Sequence, residues 1–496
     1  MPSRTHERRI AVVGGGVAGL CTAVYARRCG YQVDLLEQHQ SAGGLATSWR
    51  RGEYTFENCL DWLLGAGPAS ALHARWREVF DIDQLQFVRI DEALSLENER
   101  GQALHVYTDA DRLEAELLRC APHEAVEIRR FAAAVRRFAA FDLPDPGLRG
   151  SGRLKALAAA LPQLPSLWRW SRLTVGAYGR RFRHPLLRAL FGGGAMSELS
   201  ALALVLSLAW MGSGAAAYPI GGSQAVIGRI VQRLQELGGR LWLGARVDQI
   251  LVEHDRAVGV RLASGERIAA DRVICASDAH GTIYELLEGR YRDRRTDRLY
   301  EEGRTFPSYL QVSLGVAHDL SHIPAHLTRI LDTPMPVDPG TELALVPFRI
   351  FHFDPGFAPP GKTAVTALLP TRNFEYWLHL RRIDAAAYEA QKRRIADAVI
   401  EVLERSQPGL RDAIEVVDVA TPATVIRYTG NWKGSMEGWL LTPTTGLRPL
   451  PRELPRLRQL QMVGQWVMPG GGFPSGLITA RAAIESACRR DGVPFV

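Results

Sequence analysis

The sequence predicts an α/β protein with two domains, one of them assembled from segments that lie far apart in the chain. Glycine-rich junctions between a predicted strand and a predicted helix occur near the beginning and near the end of the 496 residues, and a third glycine-rich block lies in the middle. The long segments between these blocks are rich in leucine, tryptophan and arginine. We expect the blocks to build one domain and the intervening segments to build a second, mixed α+β domain.

The first block joins a strand to a helix through closely spaced glycines. The apolar run Arg9–Val13 predicts a buried strand, and Leu20–Cys29 predicts the helix. Between them, Gly14, Gly16 and Gly19 have the spacing G-x-G-x-x-G. At such a junction the first glycine permits a tight turn, the second lets the backbone approach a pyrophosphate, and the third lets the helix pack on the strand. The block therefore predicts a Rossmann-like dinucleotide-binding domain with phosphates at the helix N-terminus.

A carboxylate and a second glycine pair follow this block. Glu37 ends the next predicted strand, 18 positions after Gly19, where a carboxylate can accept hydrogen bonds from the ribose hydroxyls of an adenosine. Gly43 and Gly44 come too early for a second nucleotide unit and predict a backbone nest near the same pyrophosphate. Together with Gly52, these residues resemble the N-terminal signature of the FAD-binding flavoprotein superfamily that includes amine oxidases and phytoene desaturases. The resemblance implies noncovalently bound FAD whose adenosine ribose is held by the acidic residue.

The middle block resembles a pattern of the phytoene desaturases. The segment Tyr218–Asp278 opens on the motif Y-P-x-G-G and continues as a predicted amphipathic helix followed by several strands. Val247 stands where that family packs its backbone against the adenine.

The last block combines a strand, a loop and the final helix. In Leu460–Ala487 an apolar strand ends at Gly464 and leads through a glycine- and proline-containing loop into a predicted helix. A helix that begins near Ser475 and Gly476 would direct its positive end at the N1 and C2 carbonyl edge of a flavin.

The resemblance also sets expectations for the domains and the cofactor site. It implies an FAD-binding domain of residues 1–64, 216–281 and 421–496 and a substrate domain of residues 65–215 and 282–420. NAD(P)H stays open as an external reductant, although the sequence has no second complete G-x-G-x-x-G unit with an acidic partner. The predicted cofactor-binding residues are Gly14, Gly16, Val17, Ala18, Gly19, Glu37, Gly43, Gly44, Leu45, Val247, Gly464, Gly472, Ser475, Gly476 and Leu477.

One segment departs from the family pattern. Where many relatives have F-D-x-G, this chain has F-E-N-C, so Cys59 replaces a glycine in a segment that passes close to the flavin ring in the family. The substrate chemistry of a desaturase therefore does not carry over directly. A hydride that leaves or enters a polyene creates a charged carbon, which an acid or base must neutralise. The candidate catalytic residues are Asp61, Trp62, Lys433 and Glu437.

The resemblance implies an enzyme that exchanges hydride between flavin N5 and a long, apolar, conjugated polyene. The outcome stays open among desaturation, reduction, isomerisation and cyclisation, in carotenoid biosynthesis or in secondary metabolism such as polyene tetramate macrolactam biosynthesis. One alternative is a flavin amine oxidase, for which Trp432 and Trp439 would supply an aromatic cage. Another is a non-enzymatic protein of the GDP-dissociation-inhibitor type that binds prenylated partners, and the intact glycine motifs argue against it.

The amino-acid composition limits the kinds of binding partner and the cellular compartment that we expect. The formal net charge of +7 comes from arginine spread along the chain without a basic block, so we expect no nucleic-acid partner. The six cysteines have no metal-ligand or Cys-x-x-Cys spacing, which predicts a cytoplasmic protein without a metal site. The uncharged segment Leu199–Ile220 predicts a buried helix and turn in preference to a membrane span. Leu161–Leu173 suits peripheral membrane contact or a packed helix pair. The sequence does not indicate an oligomeric state.

Overall fold

The computed structural model describes residues 8–141, 158, 161–192, 194–446 and 450–496, so parts of each predicted domain lie outside the described residues. In chain order its strands are β1 Arg9–Val13, β2 Gln32–Leu36, β3 Ser48–Arg51, β4 Tyr54–Glu57, β5 Leu63–Leu64, β6 Phe87–Val88, β7 Glu92–Asn98, β8 Ala103–Tyr107, β9 Ala216–Pro219, β10 Arg240–Trp242, β11 Val247–Glu253, β12 Arg256–Leu262, β13 Arg267–Ala269, β14 Arg272–Cys275, β15 Ser308–Val316, β16 His326–Asp338, β17 Thr341–Ile350, β18 Thr363–Thr371, β19 Ile414–Ala420 and β20 Leu460–Met462. Its α-helices are α1 Val17–Arg28, α2 Ala71–Val79, α3 Ala110–Cys120, α4 Ala125–Phe138, α5 Leu164–Ser171, α6 Val175–Gly179, α7 Pro185–Gly192, α8 Ala201–Gly212, α9 Gly222–Glu236, α10 Arg294–Glu302, α11 Phe374–Ile383, α12 Ala385–Glu404, α13 Pro422–Thr429 and α14 Gly472–Asp491.

A parallel sheet unites the three glycine-rich blocks. Its strand order is β10-β2-β1-β14-β20, and every neighbouring pair is parallel. Strands β1 and β2 come from the first block, β10 and β14 from the middle block, and β20 from the last block. The apolar runs of β1, β2, β14 and β20 are buried, as expected for a parallel sheet covered on both faces, and the edge strand β10 is only partly buried. The predicted α/β fold with a discontinuous nucleotide-binding sheet is thus confirmed, while the exact domain boundaries stay a prediction.

The intervening segments supply a second sheet of seven strands. Its order is β19-β15-β18-β17-β16-β7-β8, with antiparallel neighbours except for the parallel pair β7 and β16. One face packs against α12 in a core that includes Leu310, Val312 and Ile395. Sheet and helices together give this part of the molecule the predicted mixed α+β character.

The opposite face of the seven-stranded sheet is polar and holds the segment that departs from the family pattern. Side chains alternate along β15, so Tyr309 and Gln311 point away from the core that contains Leu310. The Tyr309 hydroxyl donates to the Asn58 side-chain oxygen at 2.6 Å, and Gln311 Nε2 donates to the Glu57 carbonyl oxygen at 2.9 Å. These bonds fix the backbone immediately before Asp61.

The uncharged segment forms the predicted helix and turn. Helix α8 occupies its first half, capped by Ser200, whose hydroxyl accepts from the Leu202 N–H at 3.3 Å. Gly214 follows with φ +76°, a conformation that suits glycine, and strand β9 comes next. Across the described ranges, the helices are too short or too polar to cross a membrane.

Candidate functional site

Two helix N-termini meet above the parallel sheet. Helix α1 begins after Gly16 and helix α14 after Gly471, and neither of these two described ends has a side-chain cap. A Cβ at Gly476 would lie 2.9 Å from Val17 Cγ1 and 3.1 Å from the Ala18 nitrogen, so only a glycine lets the two first turns approach this closely. Both helices therefore direct unpaired N–H groups and the positive ends of their dipoles into one region.

The first glycine motif has the geometry that its spacing predicts. Gly14 has φ +99°, and a Cβ there would lie 3.0 Å from the Ser277 nitrogen. A Cβ at Gly19 would overlap the Gly14 carbonyl oxygen, so this glycine keeps α1 close to the turn. A Cβ at Gly16 would meet only the Gly43 oxygen, at 3.7 Å, among the described atoms within reach. The backbone at Gly16 thus leaves space for a ligand, as a pyrophosphate cradle requires.

Glu37 lies directly after β2 and is almost fully buried. Its Oε2 accepts from the Gly15 N–H at 2.6 Å and its Oε1 from the His39 N–H at 2.8 Å. Burial raises the pKa of the carboxyl, while these N–H donors act in the opposite direction. Each oxygen keeps a further lone pair for a ribose hydroxyl.

The second glycine pair closes the same cradle. The Gly43 N–H donates to the Gly15 carbonyl at 2.9 Å. Gly43 and Gly44 have φ of +130° and +62°, and a Cβ at Gly44 would lie 3.3 Å from the Gly16 Cα. The nest predicted from the sequence is therefore packed against the G-x-G-x-x-G turn. These features together fit the pyrophosphate and ribose of FAD.

The last block is placed as predicted, but its helix starts earlier. Helix α14 begins at Gly472, whereas the sequence predicted a start near Ser475 and Gly476. Pro474 lies in the first turn, where its missing N–H costs no hydrogen bond, and the Ser475 hydroxyl donates to the Gly472 carbonyl at 2.8 Å. The Gly471 N–H donates to the Met468 carbonyl at 3.3 Å, so the free N–H groups of the helix start belong to Gly472 and Phe473.

Three other predicted cofactor residues, Leu477, Val247 and Gly464, take part in the packing around the parallel sheet. Leu477 is fully buried, and Val247, at the start of β11, is 8% exposed. Gly464 has φ +99°, and its N–H donates to the Thr479 hydroxyl at 2.7 Å, which ties the end of β20 to α14.

The departure from the family pattern has a structural explanation at Glu57. Its carboxylate accepts from the Ser223 N–H at 2.9 Å and from the Ser223 hydroxyl at 2.6 Å, and it would overlap a Cβ at Gly222. Glu57 therefore caps helix α9, which follows the Y-P-x-G-G motif of the middle block.

Cys59 occupies the position of the missing glycine as a neutral thiol. Its sulfur donates to the Leu45 carbonyl oxygen at 3.2 Å, and Asn58 Nδ2 donates to the same oxygen at 2.8 Å. Burial, followed by the charges of Glu57 and Glu437, raises the pKa of the thiol well above its usual range. The predicted cofactor residue Leu45 is thus linked to the segment that carries Asp61.

Two of the four catalytic candidates, Asp61 and Glu437, are coupled through the charge of Asp61. Asp61 Oδ1 accepts from Arg349 Nη1 at 2.7 Å, and the Asp61 side chain is 47% accessible. Burial, and next the negative charge of Asp61, raises the pKa of Glu437 to about 7. A Cβ at Gly472 would lie 3.6 Å from Glu437 Oε1, which places this carboxylate beside the start of α14. Arg349 was not among the predicted residues, because an isolated arginine in a strand has no motif to mark it.

The other two catalytic candidates, Trp62 and Lys433, pack against aromatic rings. The Trp62 ring packs at 6.5 Å from the Trp210 ring at the edge of the apolar core. Lys433 Nζ lies 4.2 Å above the Trp432 ring. Burial lowers the pKa of Lys433, and the charge that opposes this effect is that of Glu375. The charges that act on Lys433 are those of Glu375 and Arg372, and its catalytic role stays a prediction.

The tryptophans proposed for an amine oxidase cage do not form one. Trp439 is fully buried, and its ring lies 5.9 Å from the Trp432 ring at an interplanar angle of 58°. Trp439 Nε1 donates to the Trp466 carbonyl at 3.0 Å, so the ring belongs to the core. Among the described residues, no group of three or more His, Cys, Asp or Glu side chains is arranged to hold a metal ion.

Comparison with known proteins decides the family. The family model of flavin-containing amine oxidoreductases matches residues 17–392. The chain belongs to this family. It is an FAD-dependent oxidoreductase, and the predicted resemblance is confirmed.

The similar curated proteins include carotenoid enzymes. The chain is 27% identical to a neurosporene-forming phytoene desaturase of Cereibacter sphaeroides, over 98% of this chain and 96% of the relative. It is 24% identical to the chloroplastic prolycopene isomerase of Daucus carota, over 95% of this chain and 78% of the relative. The phytoene desaturase-like kind of flavoprotein predicted from the three blocks is therefore the right one.

Solved structures show the same fold. A crystal structure of an oxidoreductase from Methanosarcina mazei aligns with a TM-score of 0.61 at 15% identity, covering 96% of this chain and 100% of that one. Cyclohexylamine oxidase from Brevibacterium oxydans aligns with a TM-score of 0.60 at 15% identity, covering 97% of this chain and 99% of that one.

Proposed function

We propose that the protein exchanges hydride between FAD and a long, apolar, conjugated polyene, with desaturation, reduction, isomerisation or cyclisation as the net result. The observation that carries the proposal is the Glu437 carboxyl group, which lies beside the start of the last helix and feels the charge of Asp61. The chain is also related over nearly its whole length to phytoene desaturases. Bound FAD supplies a centre that accepts or donates hydride. The protein must then move the matching proton, and a carboxyl group with a pKa of about 7 suits that task.

Different residues would bind different parts of FAD. Glu37 would hold the adenosine ribose, and the turn at Gly14–Gly19 with Gly43 and Gly44 would hold the pyrophosphate. The start of α14 would lie at the pyrimidine edge of the flavin, where negative charge appears on reduction. We propose that the FAD is bound noncovalently.

We also propose peripheral contact with a membrane as the route for an apolar substrate. Around α5, Leu161, Leu164 and Trp168 are 56%, 47% and 61% exposed, and the Arg172 guanidinium lies 4.4 Å above the Trp168 ring. Exposed apolar groups next to a cation suit the interface of an anionic bilayer. Sedimentation with anionic and neutral vesicles tests this: Leu164→Ser with Trp168→Ser should release the protein from anionic vesicles. Equal sedimentation of the double variant and the wild type would contradict it.

If the reaction runs in the reductive direction, NAD(P)H is the external reductant we propose. The chain has one dinucleotide-binding motif, so the nicotinamide cofactor would bind transiently near the flavin. Anaerobic mixing with NADH or NADPH should then bleach the flavin absorbance. If the flavin absorbance does not change, neither NADH nor NADPH donates hydride directly to the flavin.

Anaerobic mixing with candidate substrates tests the function itself. Phytoene, a polyene tetramate and a simple amine are added separately to oxidised and to chemically reduced enzyme, while flavin absorbance and product mass are followed. Bleaching by a polyene means desaturation, reoxidation with a gain of two hydrogens means reduction, and an altered product of unchanged mass means isomerisation or cyclisation. Response to the amine alone would overturn the proposal in favour of amine oxidation, and no response to any polyene would also contradict it.

A further inference from the structure

The Arg349 guanidinium makes most of its hydrogen bonds to one short segment of the chain, residues 57–61. Its side chain is 7% accessible, and its Nη2 donates to the carbonyl oxygens of Glu57 and Asn58 at 2.9 and 3.0 Å. Nη1 donates to Asp61 Oδ1 at 2.7 Å, and Nε donates to the Thr366 hydroxyl at 3.2 Å. Three of these four acceptors belong to residues 57–61, so the guanidinium fixes both the backbone and the carboxylate of this segment.

Asp61 is held as an anion with one side open. Arg349 binds its Oδ1, and His326 Nε2 lies 3.8 Å from the same oxygen. Strands β16 and β17 place His326 and Arg349 directly opposite each other. Partial removal from water would raise the pKa of Asp61, but the charge of Arg349, with His326 nearby, outweighs this effect and lowers the pKa below its usual range.

Glu437 lies beside the start of α14, where a Cβ at Gly472 would be 3.6 Å from its Oε1. The charge of Asp61 acts on Glu437 and adds to the effect of burial, and no arginine or lysine contributes to its shift. The thiol of Cys59, which lies between Glu57 and Asp61 in sequence, stays protonated. The two carboxyl groups therefore have unlike surroundings: one is paired with a buried cation and the other is not.

We propose that Arg349 is a positioning residue that keeps Asp61 permanently ionised, so that Glu437 is the carboxyl group that gains and loses the proton during turnover. The inference rests on the proposed function and assigns the roles within it. In a desaturation one carbon of the substrate loses a hydride to the cofactor, and the neighbouring carbon loses a proton to Glu437 Oε1 as the double bond forms. The ionised Asp61 stabilises the positive charge that develops on the carbon skeleton, and it takes up no proton.

The test follows the protonation of the carboxyl groups themselves. FAD-loaded enzyme is labelled with [δ-13C]glutamate or [γ-13C]aspartate, and Glu437→Gln and Asp61→Asn assign the two resonances. In the wild type the Glu437 carbon should titrate near pH 7. Asp61→Asn should lower this midpoint by about 1 unit or more, because the neighbouring negative charge is gone.

The positioning role of Arg349 is tested by following the ionisation of Asp61 in Arg349 variants. In Arg349→Gln the Asp61 carbon should titrate in the neutral range, between about pH 5 and 8, whereas in the wild type and in Arg349→Lys it should stay ionised there. An Asp61 carbon that stays ionised in Arg349→Gln, or a Glu437 midpoint that does not move in Asp61→Asn, would overturn the proposal. If Arg349→Gln loses FAD, Asp61→Asn decides alone, because it leaves the bonds from Arg349 to the backbone. No substrate is present, so these outcomes are separate from the success or failure of the polyene proposal.

Discussion

The Glu57 carboxylate caps the helix that begins beside Ser223, accepting from the Ser223 N–H at 2.9 Å and from its hydroxyl at 2.6 Å. The two residues are 166 positions apart, so this contact joins the segment next to Asp61 to the middle block of the nucleotide-binding sheet. Burial raises the pKa of Glu57, and the bonds from Ser223 oppose that effect. The relationship gives Glu57 a structural role in joining the two segments.

Glu57→Ala should destabilise the protein. The substitution leaves the Ser223 N–H and hydroxyl buried without these acceptors, a loss of about 1 to 3 kcal/mol in the free energy of unfolding. Urea unfolding of the FAD-loaded protein measures it. Glu266→Ala, on the exposed turn between β12 and β13, is the matched control and should stay within about 0.5 kcal/mol of the wild type. Equal stability of the two variants would contradict the capping role.

The structural features that the sequence predicts correctly are those that a short motif determines. The turn from Gly14 to Gly19, the carboxylate of Glu37 and the nest at Gly43 each depend on neighbours within a short stretch of chain. Local spacing determines such backbone geometry, which is why it can be inferred before the fold is known.

The features that the sequence does not predict depend on distant partners. Asp61 meets Arg349 across 288 positions, and the pairing depends on the register of β17 in the seven-stranded sheet. Arginines occur throughout the chain, so composition could not single this one out. The surroundings of Lys433 could not be predicted for the same reason, because they include Glu375 of α11, which is distant in sequence.

Glu37→Ala should weaken the retention of FAD. It removes the predicted acceptor for the ribose and leaves the Gly15 N–H without its carboxylate, a loss of about 1.5 to 3 kcal/mol. The dissociation constant should rise by about 10- to 150-fold. Flavin fluorescence on dilution measures the release, and Glu266→Ala serves again as the control. Unchanged occupancy in Glu37→Ala would reject the ribose assignment.

Gly476→Ala should separate the first turns of α1 and α14 and reduce FAD binding. The new Cβ would lie 2.9 Å from Val17 Cγ1 and 3.1 Å from the Ala18 nitrogen, and a backbone atom of a helix cannot yield as a flexible side chain can. Gly228→Ala is the matched control, since nothing lies within 4 Å of its Cβ and it is an exposed residue within α9. That variant should be more stable by about 0.5 to 1 kcal/mol and should keep its flavin. Full flavin content in Gly476→Ala would contradict the close approach of the helices.

Glu437→Gln should slow turnover by about 10²- to 10⁴-fold, the usual contribution of a general acid or base, while the FAD content stays that of the wild type. Glutamine has the same shape but cannot carry the proton. Steady-state rates with the substrate found by anaerobic mixing, together with the flavin absorbance per protein, separate the two effects. Lys433→Met, which removes a charge outside the carboxylate pair, should retain most of the activity. Full activity of Glu437→Gln would exclude this residue from the proton step.

The pH dependence of stability tests Glu437 without any substrate. Its pKa in the folded protein is about 7, against an ordinary value of 4.5, so the folded state binds the proton more tightly than the unfolded chain. The stabilisation that results is complete below the unfolded pKa and is lost as the pH rises through about 7.

Glu437→Gln has no proton to lose, so its free energy of unfolding should rise relative to the wild type by about 1 to 3 kcal/mol between pH 5 and pH 8. Urea unfolding at equal flavin content measures this difference at each pH, and Glu266→Gln, on the exposed turn, should show a constant difference. A constant difference for Glu437→Gln as well would mean that Glu437 ionises like an ordinary surface carboxylate. In that case the charge of Asp61 would not reach it, and the division of roles between the two carboxyl groups would lose its physical basis.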